Sequence, residues 1–395
     1  MAHGGPALRF PIRVEPHPAH TRNAPRARFL VKLFKFADLT LLGAAPAFAQ
    51  IVAGGAHAPS VIQTQNGLDQ VNSPTASQLN GALEIAGQRA NLIIANPSGI
   101  SVNGGGFINT TRATLTTGTP NYAADGSVSG FNVTGGNITV SGAGLNAANV
   151  DQVDLLARAV QANAAIYAKN LNVVTGANSV DYNTLNAAQI AGDGPAPGVS
   201  IDVSNLGGMY ANRIVLVGTE QGVGVSLKGV AAAQAGDLIL TTQGRLVLAG
   251  QTNASGNIVA SAHDGIDNSG TTYAQQNVSM STSGSLTNTA TLAAQQNTSI
   301  HAGAVASTGT VDAGVNGDGS LAQPGDLSVN ASGDVTTMAW VCEWGSAMVT
   351  APVPDPPPTR TLKPSYVHVH RRPARLSCRA SGPGASRTRA RCRAP

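Results

Sequence analysis

The fold of this chain is decided by two stretches that repeat with an offset of 20 residues: residues 266–280 read IDNSGTTYAQQNVSM, and residues 286–300 read LTNTATLAAQQNTSI. Seven of the fifteen aligned positions are identical, including Asn277 and Asn297. The unit before them continues the series with Asn257. A period near 20 residues is typical of a solenoid, in which each repeat covers the apolar face of its neighbour.

The type of solenoid follows from the short apolar segments between the turns. Segments such as Leu92–Ile94, Ile214–Val217 and Leu238–Leu240 are bounded by Gly, Asn, Ser and Thr, and this pattern indicates short buried strands. The regularly spaced leucines of leucine-rich repeats are absent. We therefore predict an all-β fold, a right-handed parallel β-helix, whose coils stack about 4.8 Å apart and align the three Asn residues of the repeat into a structural ladder at one corner.

One segment departs from this pattern. Residues 151–168 read DQVDLLARAVQANAAIYA, and Leu155, Ala159, Ala162 and Ile166 are spaced three and four residues apart. This spacing, together with the alanine content, is compatible with a helix. We retain a helix as the alternative interpretation of this segment.

Charge is distributed unevenly along the chain. Residues 50–338 contain 7 Lys or Arg and 16 Asp or Glu, whereas residues 1–49 contain 7 and 2, and residues 339–395 contain 10 and 2. The overall formal charge of +4 therefore conceals an acidic body with two basic ends. Because an acidic body would repel phosphate, we predict no nucleic-acid partner.

The first 49 residues have the features of an export signal. Basic residues precede a short apolar stretch at residues 39–45, and Ala47–Ala49 forms an A-x-A cleavage site. We predict a signal or targeting region over residues 1–49, with cleavage between Ala49 and Gln50. No apolar run in the sequence reaches the roughly 20 residues that a transmembrane helix needs.

The last block, residues 339–395, differs in composition from the body. It is rich in Pro and Arg, and it contains all three cysteines. We predict a disordered basic tail, with a frameshifted end as the alternative origin. His368 and His370 have a spacing that metal ligands use, but two histidines in such a tail are far more often solvated, so we predict no metal and no cofactor.

A family resemblance is carried by residues 87–100, which read GQRANLIIANPSGI. The segment resembles the secretion domain of two-partner secretion exoproteins, the family that includes filamentous haemagglutinin and contact-dependent toxin carriers. The N-P-N-G-I turn of that family is matched by Asn96, Pro97, Gly99 and Ile100, while Ser98 replaces the second Asn. Further family-like segments occur in order at residues 50–55, 105–110, 112–118, 154–159, 206–211 and 217–220.

The resemblance implies an organisation and a function. It implies a two-partner secretion domain over residues 50–230, followed by β-helix repeats of about 20 residues over residues 231–338. The secretion motif would be the turn Asn96–Ile100, in which Pro97 and Gly99 favour a tight turn. Its partner would be an outer-membrane β-barrel transporter that reads the unfolded chain by strand addition.

The resemblance also implies a destination for the chain. The exported protein would pass through the periplasm and be secreted or held at the bacterial cell surface. It would be a monomeric rod that acts as an adhesin and virulence factor on the surface of host or neighbouring cells.

Two alternatives to a working adhesin follow from a departure from the family pattern. Gln70–Asn72 runs almost directly into Ser77–Gly81, whereas the family has a longer stretch between these segments. The shortening indicates an internal deletion at about residues 72–75. The chain would then be a truncated, non-functional remnant of an adhesin or of a contact-dependent toxin carrier.

An enzyme is the remaining alternative. A polysaccharide lyase built on a β-helix needs clustered carboxylates for Ca²⁺ and a basic residue beside them. The pairs Asp151/Asp154 and Asp264/Asp267 have only Arg158 within a few residues. We therefore predict that the chain is not an enzyme.

Overall fold

The computed structural model describes residues 74–336 in full and, outside that range, the backbone of strands at 39–41, 60–62, 66–71, 339–342, 347–351 and 377–380. Apart from these strands, the predicted signal region with its cleavage site at Ala49 and Gln50, and the tail with His368 and His370, lie outside the described residues. Every regular element in the described part of the chain is a β-strand.

The chain winds through three long sheets in the repeating order A, C, B, and one passage through all three is a coil of a parallel β-solenoid with about 11 turns. Within the described residues, sheet A has 14 strands: Leu39–Leu41, Asn66–Val71, Ala90–Ala95, Thr110–Thr116, Gln152–Ala157, Asn170–Thr175, Arg213–Gly218, Leu238–Thr242, Ile258–Ala262, Val278–Thr282, Thr298–Ala302, Leu327–Ala331, Ala347–Ala351 and Ser377–Ala380. The first of these pairs antiparallel with the second, and the others pair in parallel.

The other two sheets have the same parallel arrangement. Over the same described residues, sheet B has 12 strands: Ser60–Ile62, Ala82–Ile85, Gly105–Ile108, Leu145–Ala147, Ala165–Ala168, Gly208–Ala211, Val230–Ala233, Gln251–Ala254, Thr271–Ala274, Thr291–Ala294, Thr310–Ala313 and Ala339–Cys342. Sheet C has 11 strands in this part of the chain: Ser77–Leu79, Ile100–Val102, Asn137–Val140, Ala159–Ala162, Val199–Val203, Gly224–Leu227, Arg245–Leu248, Gly265–Asn268, Ser285–Asn288, Ala304–Ser307 and Val335–Thr336.

The repeat seen in the sequence sets the register of these sheets. In sheet B, Ala254 pairs with Ala274, and Ala274 pairs with Ala294. In sheet A, Ile258 pairs with Val278 in the same parallel register. The 20-residue offset is therefore one full coil, and the predicted parallel β-helix is confirmed.

The core is a continuous column of aliphatic side chains inside the solenoid. In the strand Ile258–Ala262, for example, Ile258, Ala260 and Ala262 are buried and alternate with two exposed residues. Because successive residues of a strand point to opposite faces, each short strand supplies two or three side chains to the interior. Each coil buries its aliphatic side chains against the coils above and below, at about 1.5–3 kcal/mol for a fully buried large side chain.

A second layer covers part of sheet A. Two long connections leave the corner between sheets A and C and form an antiparallel outer sheet with the strands Thr119–Tyr122, Val128–Val133, Asn178–Asp181 and Ala187–Gln189. A separate apolar cluster lies between this outer sheet and sheet A, and it includes Ile93, Phe131, Leu156, Val174 and Val180. Sheet A is thus buried on both faces here, which accounts for continuous apolar runs such as Leu92–Ile94.

The helix considered for residues 151–168 is wrong. The segment forms three strands, Gln152–Ala157, Ala159–Ala162 and Ala165–Ala168, with one strand in each sheet. The corners at Arg158 and at residues 163–164 shift the alternation of inward-facing and outward-facing side chains from one strand to the next. This shift places buried residues three and four positions apart, so strands that change sheet produce a spacing that resembles a helix.

Candidate functional site

Asn96 anchors the turn that the sequence singles out as a secretion motif. The residue directly follows the sheet A strand Ala90–Ala95 and is fully buried. Its Nδ2 donates to the carbonyl oxygen of Thr75 and to Oγ of Ser77, both at 3.0 Å. Its Oδ1 accepts from the backbone N–H of Ser98 at 2.9 Å. The side chain therefore closes the turn and also ties it to the preceding coil.

Pro97, Ser98 and Gly99 give the turn its shape. The N–H of Gly99 donates to the carbonyl oxygen of Asn96 at 3.0 Å, and Pro97 and Ser98 form the exposed tip. Pro at the second position and Gly at the fourth are both favoured in a type I turn. Gly99 has a φ of +116°, and a Cβ there would lie 3.0 Å from the carbonyl oxygen of Asn137, so a larger residue would be strained.

The turn is held between the coil before it and the coil after it. The carbonyl oxygen of Gly99 accepts from the N–H of Ser77 in the preceding coil at 3.0 Å. On the other side, the carbonyl oxygen of Pro97 lies so close to Gly136 that a Cβ at that position would be 2.5 Å away. Ile100 then begins the next strand of sheet C and is buried in the core. The turn therefore fixes the stacking of three successive coils.

A buried ion pair lies on the same corner between sheets A and C. Arg158 and Glu220 are 7% and 8% exposed, and they form two hydrogen bonds, from Nε to Oε2 at 3.2 Å and from Nη2 to Oε1 at 2.8 Å. The hydrogen bond to Glu220 raises the pKa of the Arg158 guanidinium. Arg158 also donates from Nη1 to the carbonyl oxygen of Asp193 at 2.5 Å. The pair therefore fastens the second long connection, which contains Asp193, to two separate coils.

A second buried carboxylate lies beneath the outer sheet. Asp154 is fully buried and accepts four hydrogen bonds of 2.5 to 3.1 Å, from Arg112, Thr114, Gln152 and Asn172. The Arg112 guanidinium also lies 4.1 Å from the centroid of the Tyr182 ring and donates to the Tyr182 carbonyl oxygen at 2.6 Å. Because the oxygens of Asp154 are fully used by residues of sheet A, this carboxylate fixes Arg112 in a second ion pair, and Arg112 in turn connects sheet A to Tyr182 beside the outer sheet.

The three Asn residues of the repeat lie at another corner, between sheets B and A. Nδ2 and the backbone N–H of Asn277 donate to Oδ1 of Asn257 at 2.9 and 3.2 Å, and Asn297 donates to Asn277 in the same way. The series extends in both directions, since Asp237 accepts from Asn257 and the N–H of Asp326 donates to Asn297. An Asp suits the first position because a residue there only has to accept hydrogen bonds.

Reasoning from the sequence missed the ion pair, and it identified Asn268 and Asn288 as equivalent positions of the repeat without predicting a bond between them. Arg158 and Glu220 lie in two of the segments that carried the resemblance, but they are 62 residues apart, and no periodicity connects them. Asn268 and Asn288 occupy identical positions in the repeat, and both are buried. Nδ2 of Asn268 donates to Oδ1 of Asn288 at 2.7 Å. The 20-residue offset aligns this second pair, but it does not show that the two side chains are buried.

The described residues can be compared with what a metal site or a membrane-spanning helix requires. In this part of the chain, no three His, Cys, Asp or Glu side chains converge as metal ligands would. The same residues include no helix of sufficient length and hydropathy to cross a membrane. At the corner between sheets A and C, the side chains of Asn96, Arg158 and Glu220 are bonded within the protein, whereas Pro97 and Ser98 are exposed.

Comparisons with known proteins add three findings. A family model, the TPS secretion domain, matches residues 44–248, the range that contains the turn, both ion pairs and the outer sheet. The tRNA nuclease CdiA-2 of Burkholderia pseudomallei (strain 1026b) is 51% identical over 385 aligned residues, which cover 82% of this chain and 12% of that protein. Toxin CdiA of Yersinia pestis is 46% identical over 202 residues, which cover 51% of this chain and 6% of that protein.

The chain therefore spans only a small part of the length of these relatives. Among solved structures, the crystal structure of filamentous hemagglutinin secretion domain matches with a TM-score of 0.49 and 27% sequence identity, covering 60% of this chain and 95% of that chain.

Proposed function

This chain belongs to the family of TPS secretion domains, and we propose that the turn Asn96–Ile100 is the element on which its export through a partner transporter depends. Proteins with this domain are secreted across the outer membrane to the cell surface, and the domain implies an outer-membrane transporter as partner. One turn within residues 44–248 would thus carry part of the export function of the domain.

The burial and bonding of Asn96 are the observation that carries this proposal. An asparagine that is fully buried and uses both ends of its amide is difficult to replace, because any other side chain leaves buried polar groups unpaired. The turn bonds to one coil and supports the next. A chain that emerges in extended form, and that the transporter holds by strand addition, can therefore begin to stack coils at this point.

The test is co-expression with the partner transporter, followed by a blot of the culture supernatant. We expect Asn96→Ala and Gly99→Val to reduce the exported protein several-fold. The first loses the bonds to Thr75 and Ser77, and the second forces a side chain against the carbonyl oxygen of Asn137. Equal export of wild type and variants refutes the role of the turn.

A matched control separates export from stability. Asn288 is as buried as Asn96 and also bonds through both ends of its amide, but it lies in the repeats outside residues 44–248. Asn288→Ala should lower stability and leave export nearly unchanged. If Asn288→Ala and Asn96→Ala lose export to the same degree, the turn acts only through stability.

We propose that the exported chain then acts at the surface of a host or neighbouring cell as a monomeric adhesin. A contact-dependent toxin carrier is the second candidate, and it is favoured by the name Toxin CdiA of the Yersinia pestis relative. A strain lacking the gene should adhere less to host cells if the adhesin is correct. Reduced inhibition of neighbouring bacteria in co-culture, with adherence unchanged, supports the carrier instead.

Three further expectations belong to this proposal. Light scattering of the purified protein should give the mass of one chain. The chain should release no unsaturated products from polygalacturonate, and release of such products would contradict the assignment as a non-enzyme. Failure of the wild type to reach the supernatant beside an active transporter would favour the remnant interpretation.

A further inference from the structure

The outward face of sheet B has a cavity beside an unusually long connection. Residues 314–325 leave the corner between sheets B and A and fold back over sheet B. There Oη of Tyr273 donates to the carbonyl oxygen of Val315 at 3.3 Å. Gly317 packs against the same ring, since a Cβ on it would lie 3.4 Å from Cε1. The connection and the neighbouring strands border an open cavity of about 530 Å³.

The side chains that line this cavity are uncharged and mostly polar. Its floor includes Ala232, one wall is the ring of Tyr273, and amides surround it, from Gln234, Gln251, Asn253 and Gln275. Within the described residues, none of these four amides bonds to another protein side chain or backbone group. They differ in this from the Asn ladder at the adjoining corner, where each amide bonds to its neighbour. Gln234, Gln251 and Gln275 are exposed to water and Asn253 is half-buried, so a ligand would replace water at these amides.

The sheet register explains how the cavity arises. Ala232, Asn253 and Tyr273 are direct partners on three consecutive strands, so they form a row with a spacing of about 4.8 Å. The methyl group of Ala232 leaves room where its neighbours have long side chains. The connection at residues 314–325 holds the Tyr273 ring from the other side. The site is thus formed before any ligand arrives, and its volume lies in the range of about 300–1,000 Å³ typical of ligand sites.

The chemistry of the lining selects one class of ligand. The lining has no charged side chain, and the charge that acts on Tyr273 is the negative one of Asp318 next to Gly317, so the cavity has no partner for a phosphate or a carboxylate. A purely apolar ligand would leave the amides unpaired. An extended peptide would need a free sheet edge, and the strands at this position are paired on both sides.

We propose that this cavity binds a neutral oligosaccharide. The apolar C–H face of one pyranose ring packs on the Tyr273 ring, which provides an apolar surface with a polar tip. The hydroxyl groups of the sugar bond to the free amides, which can both donate and accept. A second sugar unit lies over Ala232.

The test uses the purified full chain and isothermal titration calorimetry. The probes are three neutral hexasaccharides (maltohexaose, cellohexaose and N-acetylchitohexaose) and one anionic heparin hexasaccharide. We expect at least one neutral probe to bind and the heparin probe not to bind. Ala232→Trp, which fills the floor of the cavity, should abolish binding, and Tyr273→Ala should weaken it by about tenfold or more.

Tyr167→Ala is the matched control. Tyr167 lies on the same face of sheet B but outside the cavity, stacked on Tyr210 with ring centroids 5.2 Å apart. This variant should keep the affinity of the wild type within about twofold. Because Tyr273 also holds the connection, Ala232→Trp decides the result, since it removes no existing side-chain contact.

Three results would overturn the proposal. They are no binding of any neutral probe, binding of the heparin probe alone, or wild-type affinity in Ala232→Trp. The measurement uses purified protein and no transporter, so its outcome is independent of the proposed role of the turn in export.

Discussion

At the scale of single residues, the two Asn series of the repeat both form hydrogen bonds from amide to amide between coils, but in different surroundings. Asn277 is half-buried and Asn297 is exposed, so water can replace a lost partner at that corner. Asn268 and Asn288 are buried at the corner between sheets C and B, where water has no access. Removal of an Asn amide should therefore lower the free energy of unfolding by different amounts at the two corners, although both Asn positions recur in the sequence repeat in the same way.

The two corners can be compared with one substitution. Asn288→Ala should lower the free energy of unfolding by about 3 kcal/mol, because it removes three hydrogen bonds, with Asn268, Ser307 and Thr310, from a site where the first two residues are buried. Asn277→Ala should lower it by only about 1 kcal/mol. Urea unfolding followed by circular dichroism measures both values. Equal losses would show that burial does not decide the strength of these bonds.

The alignment of individual residues between coils could be predicted only where the sequence repeat made equivalent positions recognisable. The offset of 20 residues placed Asn257, Asn277 and Asn297 in one series. It could not show that Asp237 begins the series, since that residue differs in type. It also could not show that Asp326 ends the series, because the connection at residues 314–325 makes the last interval 29 residues long.

At the scale of elements, the outer sheet depends on the ion pair of Arg158 and Glu220. Both side chains are removed from water, which costs several kcal/mol for each ion. The two hydrogen bonds between them and the bond to the Asp193 carbonyl oxygen offset that cost. Loss of one partner alone would leave a buried charge without compensation.

The ion pair can be tested by removing one partner and then both. Glu220→Ala should destabilise the protein by about 3 kcal/mol and expose residues 178–199 to limited thermolysin digestion, since this segment contains Leu185 and Ile190 but no Lys or Arg. The double variant Arg158→Met with Glu220→Leu removes both charges and should recover most of that loss. Urea unfolding and digestion rates measure the effect. A double variant as unstable as Glu220→Ala would mean that shape, not unpaired charge, is the cause.

The outer sheet itself could not be predicted from the periodic pattern. Its strands pair antiparallel across gaps in the repeat, as Phe131 does with Val180. The polar bonds that attach it join residues far apart in the chain, such as Arg158 and Asp193 at 35 positions and Arg112 and Tyr182 at 70 positions. A repeat shows which residues recur from coil to coil, whereas these contacts occur once and depend on where two long connections meet.

At the scale of the whole molecule, acid should weaken the fold through surface carboxylates that accept hydrogen bonds. The pKa of Asp151 is lowered mainly by its hydrogen bond from Lys169, with Arg89 contributing. The pKa values of three other carboxyl groups are lowered mainly by bonds from nearby Ser or Thr residues, at Asp125, Asp181 and Asp318. A carboxyl group with a lowered pKa in the folded state stabilises above its ordinary value of 3.8 and loses that contribution as pH falls through the folded value.

Stability should therefore be nearly constant from pH 7 to about pH 5 and should fall below about pH 4. Asp151→Asn should make that fall less steep, because the group no longer binds a proton on unfolding. Thermal melting in buffers of matched ionic strength measures the slope. An unchanged slope in the variant would exclude Asp151 as a contributor.

The overall fold was the part most open to prediction. A fixed period, short apolar segments and small turn residues predict a solenoid, because stacked coils are the arrangement that buries every such segment. The pattern failed at residues 151–168, where three buried strands with one- and two-residue corners produced helical spacing. Periodicity therefore identifies the architecture more reliably than it identifies any one element.

The hydrogen bonds between coils run along the axis of the solenoid, and this direction gives the molecule a mechanical property. A pulling force along that axis should break the hydrogen bonds between strands of successive coils one coil at a time, beginning at the end of the solenoid. Each opened coil of about 20 residues would release about 60 Å of extended chain. A molecule anchored at one end to a cell and at the other to a target would lengthen stepwise under tension and absorb the force of flowing liquid while its remaining coils stay folded.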